Sequence, residues 1–232
     1  MRPEGGALRR SAGTTAVVTA VRALTPRMTR VRFGGPEVVG LRAEPGQTVK
    51  LSVPDPATGA VVGRDYTVRA VNPSGVDVDL VLHGSGPAAA WARQATVGQE
   101  LELLGPSGRF RPDPAADWHV FAGDETALPA ILAYTAMLPA DASGELFCEV
   151  ADAAERQPVP GPAAPRVHWL YRDGAAPGTS TVLADALATW QPPPGVGRVW
   201  IAGHTARVRE IRTALLARGV DRRALQTRGF WS

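Results

Sequence analysis

The first half of the chain consists of short β-branched, apolar runs separated by Gly and Pro. Runs of this kind predict strands. Residues 76–82 place aspartates between apolar residues, as in a strand with two different faces. The six predicted strands cover residues 14–23, 28–33, 47–53, 66–71, 76–82 and 101–104. Their number and close spacing predict a small antiparallel barrel over residues 14–112.

The pattern changes after the Pro-rich residues 111–114. Strands at residues 118–122, 145–150, 166–171 and 198–203 alternate with helices at residues 127–138, 180–190 and 205–218. This alternation predicts βαβ units and a parallel sheet with both faces covered, over residues 116–232. Ligands of such sheets bind beyond the carboxyl ends of the strands. Here those ends are the turns at Gly123 and Gly203.

Composition removes several classes of function. The net charge is +3, and no basic block is interleaved with aromatic residues, so we expect no nucleic-acid partner. No stretch approaches the roughly 20 apolar residues of a membrane span, and residues 1–11 lack the apolar run of a secretory signal. One cysteine and four histidines without ligand spacing predict no disulfide and no metal site of the protein's own. We therefore expect a cytoplasmic protein without a membrane partner.

Residues 64–69, R-D-Y-T-V-R, combine a cation, an aromatic ring and a hydroxyl on one predicted strand. With a period of two, Arg64, Tyr66 and Val68 share one face of the strand. A guanidinium suits a pyrophosphate, and an aromatic ring can lie against an isoalloxazine. An ordinary half-buried strand with a surface Arg and a core Tyr is the alternative.

Residues 83–93 interrupt the barrel strands with a glycine-rich turn followed by an Ala-rich segment. Gly84 and Gly86 would let the backbone approach a ligand, and Pro87 suits the first position of a short helix. Free amides at such a helix start favour an anion. A loop followed by a helix that caps the barrel is the alternative.

Five motifs together resemble one family. They are R-D-Y-T-V-R, H-G-S-G-P-A-A-A-W, G-P-S-G, A-G-D-E-T-A-L-P-A and R-G-F-W, in order between about residue 15 and residue 231. They are similar to those of the siderophore-interacting proteins, flavin-dependent ferric-siderophore reductases with a ferredoxin-reductase-like fold. The resemblance implies a barrel that binds flavin adenine dinucleotide (FAD), followed by a domain like those that bind NAD(P)H. It assigns flavin contact to Arg64, Tyr66, Thr67, Val68, His83, Gly84, Ser85, Ala88, Trp91, Thr126 and Ala127.

A flavin can couple a two-electron nicotinamide donor to a one-electron acceptor such as ferric iron. Hard oxygen ligands hold Fe(III) more tightly than Fe(II), so reduction loosens the metal. Ferric catecholate complexes are anionic, so cations near the cleft would attract them. The candidates are Lys50, the chain's only lysine, and two arginines, Arg109 and Arg207.

Two departures from the usual pattern leave the function open. Asp124 and Glu125 occupy a turn where a nicotinamide-binding fold usually has glycines, and their charges would repel a pyrophosphate. The donor could then be NAD(P)H or a ferredoxin. His204 stands where the family commonly has Glu. Besides a ferric-siderophore reductase, the sequence allows a flavoprotein with another acceptor, such as a secondary metabolite, or a non-enzymatic binding module that has lost flavin.

Overall fold

The computed structural model describes residues 13–108, 110–161 and 165–232. The first half is a closed antiparallel barrel, as predicted, with strand order β1-β2-β5-β4-β3-β6. Its strands are β1 (Thr14–Thr25), β2 (Met28–Gly34), β3 (Thr48–Pro54), β4 (Val61–Asn72), β5 (Gly75–Val81) and β6 (Glu100–Ser107). Val31, Phe33 and Leu51 are fully buried inside the barrel.

The polar face of β5 is buried as well as its apolar face. Asp79 accepts two hydrogen bonds from Arg30 of β2, at 2.6 and 2.8 Å. Asp77 accepts two from Arg32, at 2.7 and 3.0 Å. Each aspartate is directly opposite its arginine in the register of the two strands. Cross-strand ion pairs therefore let the aspartates be buried without losing their charge partners.

Two short helices lie against the barrel. The helix α1 (Pro36–Gly40), which the sequence pattern did not predict, follows β2, and α2 (Pro87–Ala92) follows β5. Ala88, Trp91 and Ala92 of α2 belong to the barrel core, and the Trp91 ring stacks at 6.1 Å from that of Phe33. The helix α2 thus caps the barrel.

The second half is a parallel sheet of order β11-β10-β7-β8-β9, as expected from the alternation of strands and helices. The chain runs through β7 (Trp118–Gly123), α3 (Leu128–Thr135), β8 (Ser143–Val150), β9 (Arg166–Tyr171), α4 (Val182–Thr189), β10 (Gly197–His204), α5 (Thr205–Ala217) and β11 (Leu225–Trp231). Side chains of α3 form a core with one face of the sheet, and those of α4 and α5 form a second core with the other.

The edge strand β11 was missed by the sequence analysis. Only Leu225 of this strand is buried, and the rest of it contains Gln, Arg and Gly. The strand exists because it pairs with β10 from Val199 to His204. This pairing brings residues 228–231 to the edge of the barrel.

The two halves pack against each other through α3. Met28 and Val81 of the barrel lie in the same apolar cluster as Leu128 and Ile131 of α3. Nearby, the hydroxyl of Tyr134 donates a hydrogen bond to the carbonyl of Gly46, at 3.2 Å. Within the described part of the chain, no helix is long and apolar enough to cross a membrane.

Candidate cofactor site between the two halves

A cavity of about 560 Å³ opens where the barrel meets the α/β half. Residues of β3, β4 and the turn before α2 form its barrel side, and Thr126, Pro129 and residues 228–232 form the other side. Small-molecule and cofactor sites are clefts of about 300–1,000 Å³. The volume and the position between two rigid units are therefore those of a cofactor site.

Half of the site residues expected from sequence border this cavity. They are Lys50, Arg64, Tyr66, Thr67, His83, Ala88 and Thr126. The two motifs that suggested a flavin, at residues 64–67 and 83–88, thus meet at one surface although a full strand separates them. Their roles in binding stay predictions.

Other expected residues lie elsewhere. Val68 and Trp91 are in the barrel core, and Ala127 is in the core around α3. Arg207 does not line the cavity. Its guanidinium donates a hydrogen bond to the carbonyl of Gly178, at 3.2 Å, and pairs with Glu210, at 2.7 Å.

Gly84 and Ser85 are exposed next to the cavity-lining His83, but they do not line it themselves. A methyl group built on Gly84 meets no other atom within 4 Å. The turn therefore leaves open space in front of its backbone. Arg109 lies outside the described residues.

The guanidinium of Arg64 is available to a ligand. It donates one hydrogen bond to the neighbouring carbonyl of Gly63, at 2.9 Å. Among the described residues no carboxylate forms a salt bridge with it, and its side chain is exposed. Its remaining N–H groups can therefore bind an anionic group in the cavity.

Lys50 has a partner within the site. Its Nζ is 2.6 Å from Oδ1 of Asp65 on the neighbouring strand, and both side chains are about half exposed. The pair is close to neutral in total, so the unpaired Arg64 contributes more positive potential than Lys50. Arg228, on β11, is an exposed cation on the opposite wall. It begins the R-G-F-W motif, but the sequence assigned it no role because the strand that positions it was missed.

Tyr66 is half-buried and packs against the barrel core. Burial raises the pKa of its hydroxyl to about 12, so at neutral pH the hydroxyl is protonated and can donate a hydrogen bond. Its ring and those of Phe230 and Trp231 are the aromatic surfaces of the cavity.

Asp124 and Glu125 have a different role from the one expected. Both are buried. Glu125 accepts two hydrogen bonds from Arg172, at 2.6 and 2.5 Å, and Asp124 accepts its hydrogen bonds from protein groups at 2.5–2.9 Å. These carboxylates therefore bind protein groups in the interior and are not presented at the mouth of the turn.

The rings of three residues from separate segments meet beside the cavity. The ring centroid of Trp231 is 5.0 Å from that of His83, in the turn that follows β5. It is 4.6 Å from the ring centroid of His204, at the end of β10. His204 thus packs edge-on against a residue that lines the cavity. The ring contact ties the end of β11 to both halves.

The residues present fit FAD. An unpaired guanidinium suits its pyrophosphate, aromatic side chains suit its flat ring system, and the open glycine turn leaves room for close approach of the backbone. Within the described residues, no group of three or more His, Cys, Asp or Glu side chains could hold a metal ion. The exposed guanidinium and the aromatic side chains suit an organic, anionic cofactor.

Comparison with known proteins agrees with this geometry. The model of the siderophore-interacting FAD-binding domain matches residues 56–110, and that of the siderophore-interacting protein matches residues 116–232. A siderophore utilization protein from T. fusca has a TM-score of 0.88 at 39% identity, over 95% of this chain and 92% of that one. At 20% identity, a ferredoxin reductase in carbazole 1,9a-dioxygenase has a TM-score of 0.74, over 95% of this chain and 70% of that one. The predicted ferredoxin-reductase-like fold is confirmed.

Two curated relatives add sequence evidence. An uncharacterized protein of Mycobacterium tuberculosis is 40% identical over 181 residues, which are 72% of this chain and 64% of that protein. The chain therefore spans less than two thirds of that relative's length. A Vibrio cholerae protein named ferric vibriobactin reductase is 32% identical over 218 residues, which are 83% of this chain and 79% of that protein. On these matches, the chain belongs to the siderophore-interacting protein family.

Proposed function

We propose that this protein is an FAD-dependent reductase of ferric siderophores. The observation that carries the proposal is the single cavity in which Arg64, Tyr66 and the turn at His83 meet the α/β half. The match of the barrel to a siderophore-interacting FAD-binding domain supports the cofactor. The name of the Vibrio cholerae relative, a ferric vibriobactin reductase, supports the substrate class.

In this proposal, residues 14–112 form the FAD-binding domain and residues 116–232 complete the cleft. Arg64 binds the pyrophosphate through charge-assisted hydrogen bonds. Tyr66 offers its ring and a protonated hydroxyl, and Thr67 and His83 offer polar groups at the same wall. The apolar side chains of Val81, Ala88 and Pro129 exclude water from the space between them.

Bound FAD would supply a two-electron store that can release electrons singly to ferric iron. The residues of the chain attract and orient the iron complex. Arg228 is an exposed cation on the wall opposite Arg64, and an anionic ferric chelate is attracted to such a positive charge at the rim. Lys50 neutralises the carboxylate of Asp65 at this rim, so that Asp65 does not repel the anionic complex. NAD(P)H or a ferredoxin would provide the electrons.

The proposal can be tested with FAD-loaded protein that is reduced without oxygen and then mixed with a ferric catecholate. We expect Fe(II) to appear, captured by a chromogenic chelator, at a rate that depends on the protein. The same protein mixed with organic quinone acceptors is the comparison. Reaction with the quinones but not with the iron complex would overturn the assignment in favour of another acceptor, and protein that retains no FAD would favour a binding module.

A further inference from the structure

One buried carboxylate connects three segments around the cavity. Oδ1 of Asp124 accepts hydrogen bonds from the amide and the hydroxyl of Thr126, at 2.9 and 2.5 Å. Oδ2 accepts from the amide of His204 and from Nε1 of Trp231, both at 2.9 Å. Thr126 and Trp231 line the cavity, and His204 packs against Trp231. Asp124 is therefore the common partner of the turn after β7, the turn after β10 and the end of β11.

The partners of Asp124 require an acceptor. The two backbone amides and the indole N–H can only donate. Burial raises the pKa of Asp124 above its ordinary value, and the hydrogen bonds from Thr126 and Trp231 act against that rise. An amide side chain in place of the carboxylate would point an N–H group at one pair of donors. The arrangement is thus specific for a carboxylate.

Asp124 also fills the place where parallel sheets usually bind a ligand, beyond the carboxyl ends of the strands. A methyl group built on Gly203, at the end of β10, would lie 2.5 Å from Oδ2 of Asp124. The crevice between β7 and β10 is therefore occupied by the carboxylate itself.

Trp231 has few other means of keeping its orientation. Its ring lies between those of His83 and His204. Its carbonyl accepts a hydrogen bond from the hydroxyl of Thr205, at 2.8 Å, which fixes the backbone and not the ring. The one polar group of the indole is its N–H, which donates a hydrogen bond to Asp124.

We propose that Asp124 is a positioning residue, whose carboxylate holds the Trp231 indole in place as a wall of the cavity and thereby strengthens the binding of the flavin ring system. The inference rests on the function proposed above. It adds a residue that makes no contact with the flavin and acts through the orientation of Trp231.

A double-mutant cycle on FAD binding tests the inference. Asp124→Ala, which removes the acceptor altogether, and Trp231→Phe are titrated with FAD singly and together, and the visible absorption and circular dichroism of bound FAD are recorded. We expect each single variant to bind FAD about tenfold more weakly, which corresponds to about 1.4 kcal/mol. Because both substitutions break the same hydrogen bond, we expect the double variant to be little weaker than either single one.

The visible circular dichroism of bound FAD separates positioning from general destabilisation, because it reports the surroundings of the ring. We expect both single variants to change it in the same direction. Trp190→Phe is the matched control, since Trp190 is a buried tryptophan that packs against Trp118 in the core and does not line the cavity. This control should keep the affinity and the spectrum of the parent protein.

Unchanged affinity and an unchanged spectrum in Asp124→Ala would overturn the inference, as would effects that multiply in the double variant. If Asp124→Ala does not fold, Trp231→Phe alone decides, because it removes only the indole N–H and part of the ring. An unchanged spectrum then refutes the inference. Parent protein that fails to bind FAD would refute the proposed function and with it the inference. If the parent protein and the variants bind FAD equally well, the inference is refuted but the proposed function stands.

Discussion

Glu149, at the end of β8, is a buried carboxylate with more negative than positive neighbours. Its side chain is 7% exposed and lies 3.5 Å from Nη1 of Arg172, a guanidinium already bonded twice to Glu125. Burial is the main cause that raises the pKa of Glu149 from 4.5 to about 7; Arg172 lowers it, and the charges of Asp124 and Glu125 raise it further. Glu149 therefore takes up a proton near neutral pH.

This shift makes stability depend on pH. The folded protein binds the Glu149 proton more tightly than the unfolded chain, so the stability linked to this group is complete below pH 4.5 and is lost as the pH rises to about 7. At about 1.4 kcal/mol per pKa unit, the ceiling of this loss is about 3 kcal/mol. Because the surroundings of a buried charge relax, we expect about 2 kcal/mol.

Replacing Glu149 with Gln tests this reasoning, since the amide keeps the shape and an oxygen that can accept from Arg172. The variant should gain stability relative to the parent protein as the pH rises. We expect the difference in free energy of unfolding, Glu149→Gln minus parent, to be about 2 kcal/mol larger at pH 8 than at pH 5. Denaturant unfolding at the two pH values measures it. Glu100→Gln, at an exposed position of β6, is the control and should give no such difference. An equal effect of Glu149→Gln at both pH values would refute the account.

Three further predictions follow from the cavity and the barrel. Tyr66→Ala should weaken FAD binding by at least about tenfold, because it removes the aromatic surface of β4; equilibrium titration measures this. Lys50→Ala should slow reduction of an anionic ferric complex at low salt but leave FAD affinity unchanged, and the difference should shrink at high salt because the pair with Asp65 is exposed. Asp79→Asn should lower the free energy of unfolding by about 3 kcal/mol, because it leaves the partly buried Arg30 without its carboxylate; denaturant unfolding checks it.

Local pattern was enough for the barrel and most of the sheet. Strands such as β3 and β7 carry runs of apolar residues whose spacing matches the face that they bury. The strand β11 carries no such run, and its stability comes from hydrogen bonds to β10. Pairing of this kind is a property of the folded chain, so it was missed.

The candidate site, too, was predicted only in part from the sequence. Motifs on the barrel side were found because Arg64, Tyr66 and the glycine turn have a chemistry that local sequence displays. On the facing wall, the R-G-F-W motif was recognised, but Arg228 and Trp231 were assigned no role because their contribution depends on the position of β11. Arg207 and Arg228 look alike in the sequence, but Glu210 and Gly178 bind the first while the second faces the cavity.

The buried carboxylates were the hardest to interpret. From the sequence, Asp124 and Glu125 are two charges in a turn that would repel a phosphate. Their effect depends on where the side chains point, and Arg172, Trp231 and His204 draw them inward. All three partners are distant in the chain, so no local pattern could reveal them.

The proposed function requires Arg64 and its neighbours on the barrel to hold FAD in the cavity. Equilibrium titration of FAD-free protein with FAD, for the parent chain and for Arg64→Ala, tests this requirement. We expect one FAD bound per chain, and binding at least about tenfold weaker in the variant, because a charge-assisted hydrogen bond to the pyrophosphate is lost. Equal affinity in the two proteins, or no binding by the parent chain, would contradict it.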